Sequence, residues 1–120
     1  MRAAILIMVP LAFFVACGGS GGSGTPTGPF QVTLTSAGAS PKSFTALSQA
    51  EVQFTNNDLA NHQINSSDCP EMSTPLLIPG MNATVMLAAG PKSCTFNDSL
   101  NPSNTAFQGS VNILAPGNGY

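Results

Sequence analysis

The chain has 120 residues, of which only 7% are charged, and its formal net charge is −2; this length allows one folded domain. Its three basic residues, Arg2, Lys42 and Lys92, are too few to neutralise a nucleic-acid backbone, so we expect no nucleic-acid partner. The single histidine, His62, would have to serve any nucleophile alone and leaves few ways to build a metal-dependent active site. We therefore predict that the protein is not an enzyme.

The first sixteen residues have the pattern of a signal peptide. Arg2 precedes an apolar run from Ala3 to Ala16, which is too short to span a bilayer core about 30 Å thick and which is typical of a secretory signal. The ending Phe14-Val15-Ala16-Cys17 resembles a bacterial lipobox, in which the cysteine is acylated and becomes the first mature residue. We predict a lipoprotein signal peptide over 1–16 and membrane attachment through lipid on Cys17. A plain signal peptide with an incidental Cys17 is the alternative.

A flexible tether and one folded domain follow the predicted lipidation site. Residues 17–29 are rich in Gly, Ser, Thr and Pro, a composition that cannot bury apolar surface and is typical of a flexible linker. We predict a folded domain over 30–114 and a flexible tail over 115–120. Because Gly18 rather than Asp follows Cys17, we expect the protein in the bacterial cell envelope, at the periplasmic face of the outer membrane or at the cell surface.

Short alternating segments indicate that the domain is all-β. Phe30, Val32 and Leu34 alternate with polar residues, as in a half-buried strand. The predicted strands, separated by Pro, Gly and Asn turns, are Phe30–Thr35, Ser43–Leu47, Ala50–Thr55, His62–Asn65, Thr84–Ala88, Cys94–Phe96 and Ser110–Leu114. Their number and spacing predict an antiparallel Greek-key β-sandwich of seven to eight strands. We read Gly38 with Pro41 as a turn and Asp98–Leu100 as a short helical turn.

The cysteines predict a disulfide. Past Cys17 only Cys69 and Cys94 remain, and an even number of cysteines in an oxidising compartment favours pairing. Closing a loop of about 26 residues stabilises a fold by roughly 3–4 kcal/mol on the chain-entropy model, which is a large share of the stability of a domain this small.

Four segments of the domain together resemble a cupredoxin, the β-sandwich family of plastocyanin and azurin. They are Phe54-Thr55-Asn56-Asn57-Asp58 with His62 after it, Pro79-Gly80, Cys94-Thr95-Phe96-Asn97-Asp98, and Gln108-Gly109-Ser110-Val111. The resemblance covers nearly the whole domain, and its order and spacing are more specific than any single segment.

The resemblance implies a copper site that this chain only partly supplies. A blue-copper centre needs two imidazoles, one thiolate and a weak axial ligand, often Met. By resemblance His62 is the first imidazole, and Cys94 is the thiolate only if it is not in a disulfide. The second His is expected shortly after that Cys, where Asn97 stands, and no Met follows Cys94. We therefore expect a degenerate copper site with no bound cofactor, and copper as the alternative.

These observations favour a non-catalytic binding or structural module with an unidentified protein partner. One alternative is a copper-binding or electron-transfer protein that keeps a partial site at His62, with oxygens from Asp68 or Glu71. The other is an immunoglobulin-like adhesion or assembly module, whose sandwich resembles a cupredoxin by convergence.

Overall fold

A computed structural model describes residues 28–117, which form two four-stranded β-sheets. The strands are β1 (Phe30–Thr35), β2 (Gly38–Ser40), β3 (Ser43–Ala46), β4 (Glu51–Asn56), β5 (Ile64–Asn65), β6 (Asn82–Met86), β7 (Lys92–Asp98) and β8 (Gly109–Ile113). Two short 3-10 helices span Pro70–Met72 and Thr105–Phe107. The predicted signal peptide, the lipidation site at Cys17, the tether up to residue 27 and the last three residues lie outside the described range.

The two sheets have the strand orders β2-β1-β4-β6 and β3-β8-β7-β5. The predicted β-sandwich is confirmed, but two of its strand pairs, β1 with β4 and β3 with β8, are parallel. The reason is that β2 and β3 belong to different sheets and are joined by Pro41 and Lys42 alone. The chain therefore crosses between the sheets here instead of turning back as a hairpin. As a result, the strands are not all paired antiparallel.

Strand β2 was missed by the sequence prediction, which assigned Gly38 to a turn. Gly38 has φ +126°, and a Cβ atom at this position would lie 2.4 Å from the carbonyl oxygen of Ala106. The glycine thus permits both an unusual backbone conformation and a close approach of the segment around Ala106. The predicted short helical turn at Asp98–Leu100 is present directly after β7, because Asp98 ends the strand and its carbonyl accepts the N–H of Asn101 at 2.9 Å.

The core lies between the sheets and follows the alternation in the sequence. Val32, Leu34, Val52 and Phe54 are fully buried, and the Phe54 ring meets Phe96 of the other sheet edge to face at 5.6 Å. The predicted disulfide is present between Cys69, just before the first 3-10 helix, and Cys94 on β7. Within residues 28–117, no helix is long and apolar enough to cross a membrane.

Candidate functional site

His62 is held rigidly at one end of the sandwich, just before β5. Its backbone N–H donates to the carbonyl of Leu77 at 3.0 Å, and the N–H of Leu77 donates back at 2.7 Å. The side chain is only 2% exposed, and its ring packs on Phe107, with 4.5 Å between the ring centroids. Both backbone bonds and the aromatic contact therefore fix the direction in which the imidazole points.

Both ring nitrogens of His62 contact carboxylates. Nδ1 lies 2.5 Å from Oδ2 of Asp98, and Nε2 lies 2.8 Å from Oδ2 of Asp58. An ionised carboxylate only accepts hydrogen bonds, so while both aspartates are ionised each ring nitrogen must donate a proton, and this geometry favours the imidazolium cation. Burial opposes this charge, but the hydrogen bonds and negative charges of Asp98 and Asp58 outweigh it and raise the pKa of His62 above 6.5. We call Asp58, His62 and Asp98 the carboxylate–histidine cluster.

Asp98 is the fully buried member of the cluster. Its Oδ1 accepts the backbone N–H groups of Gln63 and Leu100, each at 3.0 Å, and its Oδ2 accepts the side-chain amide of Asn101 at 3.0 Å. Burial disfavours the charged carboxylate, but His62 and these three donors more than compensate, and they hold the pKa of Asp98 below 3.8. The buried negative charge is thus fully solvated by protein groups.

Asp58 is the more exposed member and belongs to the turn after β4. The hydrogen bond from His62, followed by that from the Leu59 N–H at 2.7 Å, lowers the pKa of Asp58 below 3.8. The turn is fixed by Asn56, whose side-chain oxygen accepts the N–H of Asp58 at 2.8 Å and whose amide donates to the carbonyl of Leu77 at 2.8 Å. The turn that the sequence predicts at Asn56-Asn57-Asp58 therefore supplies one side of the cluster.

The residue of β7 that faces His62 is Asp98, and this differs from the sequence expectation for Cys94. Cys94 lies four residues earlier on the strand, and its sulfur is bonded to Cys69, with 5.7 Å between the two Cα atoms. A sulfur in a disulfide offers no thiolate to a metal. Since Cys94 and Asp98 are separated by an even number of residues, both point to the same face of the strand, and both are buried. That even spacing is the signal by which Asp98 could have been found.

The side chains around His62 do not fit a blue-copper centre. Such a centre needs two imidazoles and a thiolate, whereas the groups found here are two carboxylates, the amide of Asn101 and the ring of Phe107. Both nitrogens of His62 carry protons in this arrangement, so neither offers a lone pair to a metal.

The carboxylates predicted to assist His62 lie elsewhere. Asp68 accepts hydrogen bonds from the backbone N–H of Thr95 at 3.0 Å and from the Ser66 hydroxyl at 3.0 Å. The Thr95 N–H, and after it the Ser66 hydroxyl, lower the pKa of Asp68 against the opposing effect of burial. Glu71 lies beside the Cys69–Cys94 disulfide. The oxygens that reach the imidazole therefore come from Asp58 and Asp98.

Comparison with known proteins identifies the fold. No protein-family model matches this chain, and no curated protein matches it in sequence. Among solved structures, a purple cupredoxin from Nitrosopumilus maritimus superposes with a TM-score of 0.61 at 18% identity, over 71% of this chain and 99% of that one. An oxidised mutant of amicyanin superposes with a TM-score of 0.61 at 12% identity, over 75% of this chain and 86% of that one. The domain thus has a cupredoxin-like fold, as the sequence resemblance predicts.

A third similar structure corrects one expectation. The copper-containing nitrite reductase of Thermus scotoductus superposes with a TM-score of 0.64 at 21% identity, over 85% of this chain but only 25% of that one. The prediction from composition that the protein is not an enzyme was wrong for this fold. A unit of the same fold makes up about a quarter of the nitrite reductase chain. At these identities the likeness is one of fold, and it does not transfer that enzyme's activity to this chain.

Proposed function

We propose that this protein is a lipid-anchored, cupredoxin-like binding or structural module of the bacterial cell envelope, in which a protonated ion-pair cluster stands where the family binds copper. The main support for the proposal is that the only histidine of the chain contacts Asp98 through one ring nitrogen and Asp58 through the other. The positive charge that a metal would bring to this position is supplied by a proton on the imidazole.

The order of residues after β7 supports this proposal. The resemblance leads us to expect a cysteine, a histidine and a methionine in that order along the chain. Asp98, Asn101 and Phe107 follow one another in the same order around His62, with the Asn101 amide 3.0 Å from Asp98 and the Phe107 ring 4.5 Å from the imidazole. In this chain a carboxylate takes the position expected for the thiolate, an amide that of the imidazole, and a phenyl ring that of the thioether. These replacements keep the packing and remove the soft metal ligands.

The proposed location depends on the beginning of the sequence. A lipobox-like Cys17 and a Gly-rich tether before the domain would attach the sandwich to a membrane by acyl chains. The Cys69–Cys94 disulfide agrees with an oxidising compartment outside the cytoplasm. The partners we propose are therefore the membrane, through the lipid on Cys17, and a protein bound by the domain, with no nucleic acid.

Copper titration of the mature protein tests the site. We expect no intense thiolate-to-Cu(II) absorption band, because both cysteines of residues 28–117 are joined in a disulfide. An intense visible band would overturn the proposal and restore a redox protein with a site at His62.

A variant in which the copper ligands are restored is the matched counterpart of the native chain in this test. The triple substitution Asp98→Cys, Asn101→His and Phe107→Met should create the coloured cupric centre that the native chain lacks, and adding His62→Ala to it should abolish the colour. Peptide mapping must show that Cys69 and Cys94 remain paired in this variant. A folded, correctly paired triple variant that binds Cu(II) without colour would argue against placing the ancestral metal position at Asp98.

The mass of the purified mature protein tests the anchor. We expect an acylated chain that begins at Cys17, and an increase of two hydrogens on reduction of the Cys69–Cys94 bond. A mature chain with an unmodified Cys17, or one cleaved elsewhere, would contradict lipid anchoring while leaving the copper-site proposal untouched.

A further inference from the structure

A second cluster of metal-binding side chains lies away from His62. The sulfur atoms of Cys69 and Cys94 and a carboxylate oxygen of Glu71 all lie within 4.8 Å of one another. The 3-10 helix Pro70–Met72 places Glu71 two residues after Cys69, and β7 brings Cys94 from the second sheet. Three ligand atoms of types that bind Zn(II) thus meet at one point of the fold.

The Glu71 carboxylate has an open oxygen at this point. Among residues 28–117, no group donates a hydrogen bond to its buried Oε2, and the Nζ of Lys92 forms an ion pair with it at 3.9 Å. That distance is too long for a hydrogen bond. Buried carboxylate oxygens are ordinarily hydrogen-bonded, so an unsatisfied one beside two sulfur atoms is available to bind a cation.

We propose that reduction of the Cys69–Cys94 bond converts this cluster into a binding site for one Zn(II) ion. A dithiol reductant gives two electrons and two protons to the disulfide, so that the S–S bond breaks, two thiols form and the reductant becomes a disulfide. Binding of Zn(II) then releases the two thiol protons to solvent, and two thiolates with the Glu71 carboxylate become its protein ligands.

The backbone distance suits a single ion. The Cα atoms of Cys69 and Cys94 are 5.7 Å apart. Two thiolates that each lie about 2.3 Å from a tetrahedral zinc are separated by roughly 3.8 Å, which is shorter than this distance between the two Cα atoms. The Glu71 carboxylate is the third ligand, and a water molecule completes the tetrahedron.

Charge and burial favour a divalent ion. The three negative charges of two thiolates and Glu71 are balanced by a divalent cation together with the ammonium group of Lys92. Both cysteines are fully buried, whereas the Glu71 side chain is 31% exposed. The sulfurs are therefore shielded from water, and the carboxylate side provides the path by which the ion enters.

Zinc binding by the reduced protein tests the inference independently of the copper-site proposal. The mature protein is reduced with dithiol, desalted under anaerobic conditions and titrated with Zn(II) against a chromogenic chelator, and with Co(II) to detect thiolate-to-metal absorption. We expect one ion per reduced chain and none for the oxidised chain. Glu71→Gln should weaken the affinity by at least about tenfold, as loss of a zinc ligand or of its support does. Glu51→Gln, which changes an exposed carboxylate on β4, is the matched control and should bind as the native chain does.

The test also holds if the reduced chain unfolds. In that case Zn(II) should restore the β-sheet circular dichroism, because metal bound only by the folded chain adds its binding free energy to folding, and Glu71→Gln should need at least about tenfold more zinc for the same recovery. Absence of zinc binding by the reduced chain would overturn the inference. So would equal affinity of the native chain and Glu71→Gln, because the ion would then bind to the cysteines alone.

Discussion

Two fully buried residues on the same face of β7, Cys94 and Asp98, stabilise the domain by different chemistry. Cys94 is covalently joined to Cys69, whereas the negative charge of Asp98 is paired with the protonated ring of His62. The alternation of the strand buries both positions, and the partner each one meets decides what it does. One half of the strand therefore responds to reductants and the other half to pH.

The largest effect is expected when the buried ion pair is broken. Asp98→Asn keeps the shape of the side chain but removes the charge that faces His62, and leaving one member of a buried pair without its partner costs about 3–5 kcal/mol in the free energy of unfolding. Denaturant unfolding near neutral pH measures this loss. Asp58→Asn, at the more exposed side of the same ring, should cost less. A loss smaller than about 1 kcal/mol for Asp98→Asn would mean that His62 is neutral in the native protein.

Removal of the covalent link should have a comparable or slightly smaller effect. The double substitution Cys69→Ala and Cys94→Ala opens a loop with a sequence separation of 25 residues, which the chain-entropy model values at about 3.5 kcal/mol. The pH dependence of stability should remain that of the native chain, because the carboxylate–histidine cluster is untouched. If this variant also loses that pH dependence, the two halves of β7 are not independent.

The pH dependence of stability separates the two halves further. The pKa of His62 is raised, so its contribution is complete below 6.5 and is lost as the pH rises through the folded-state value. The pKa values of Asp58 and Asp98 are lowered, so their contribution is complete above 3.8 and is lost as the pH falls through their folded-state values. The denaturation midpoint should therefore be highest between these limits. His62→Gln should flatten the alkaline side, and a native profile that rises toward alkaline pH would contradict a cationic His62.

The smallest loss of stability is expected when one of the several hydrogen-bond donors to Asp98 is removed. Asn101→Ala removes a hydrogen bond of 3.0 Å but leaves His62 and two backbone N–H groups in place, so we expect a loss of about 1.5 kcal/mol. Asn112→Ala, on the exposed face of β8, is the control and should change stability by less than about 0.5 kcal/mol. Equal effects of the two substitutions would show that Asn101 does not help to hold the buried charge.

The fold was largely predictable because alternation is a local signal. Phe30–Thr35 and the residues around Val52 and Phe54 form strands where the pattern indicates them. The parallel pairing of β1 with β4 was not predictable, since it depends on a crossing between sheets that leaves no periodic trace in the sequence.

The site was less predictable because it depends on which side chains meet across the fold. His62 was singled out, but its partners Asp98 and Asp58 were assigned to a helical turn and to a loop. A buried aspartate needs a positive partner or several donors, and in a domain with one histidine and two lysines that requirement would have pointed to His62. The proposed role of the domain in the cell envelope rests on residues 1–29 and cannot be read from the sandwich itself.

Nitrogen-15 NMR of the His62 ring is the most direct measurement, because the chain has one histidine and the spectrum contains one imidazole. At about pH 7, near the ordinary titration range of histidine, we expect two slowly exchanging N–H protons on this ring, with shifts unaltered by an equimolar amount of Cu(II). An unprotonated ring nitrogen, or loss of the signals on adding copper, would contradict the claim that a proton on His62 replaces the positive charge of the copper ion.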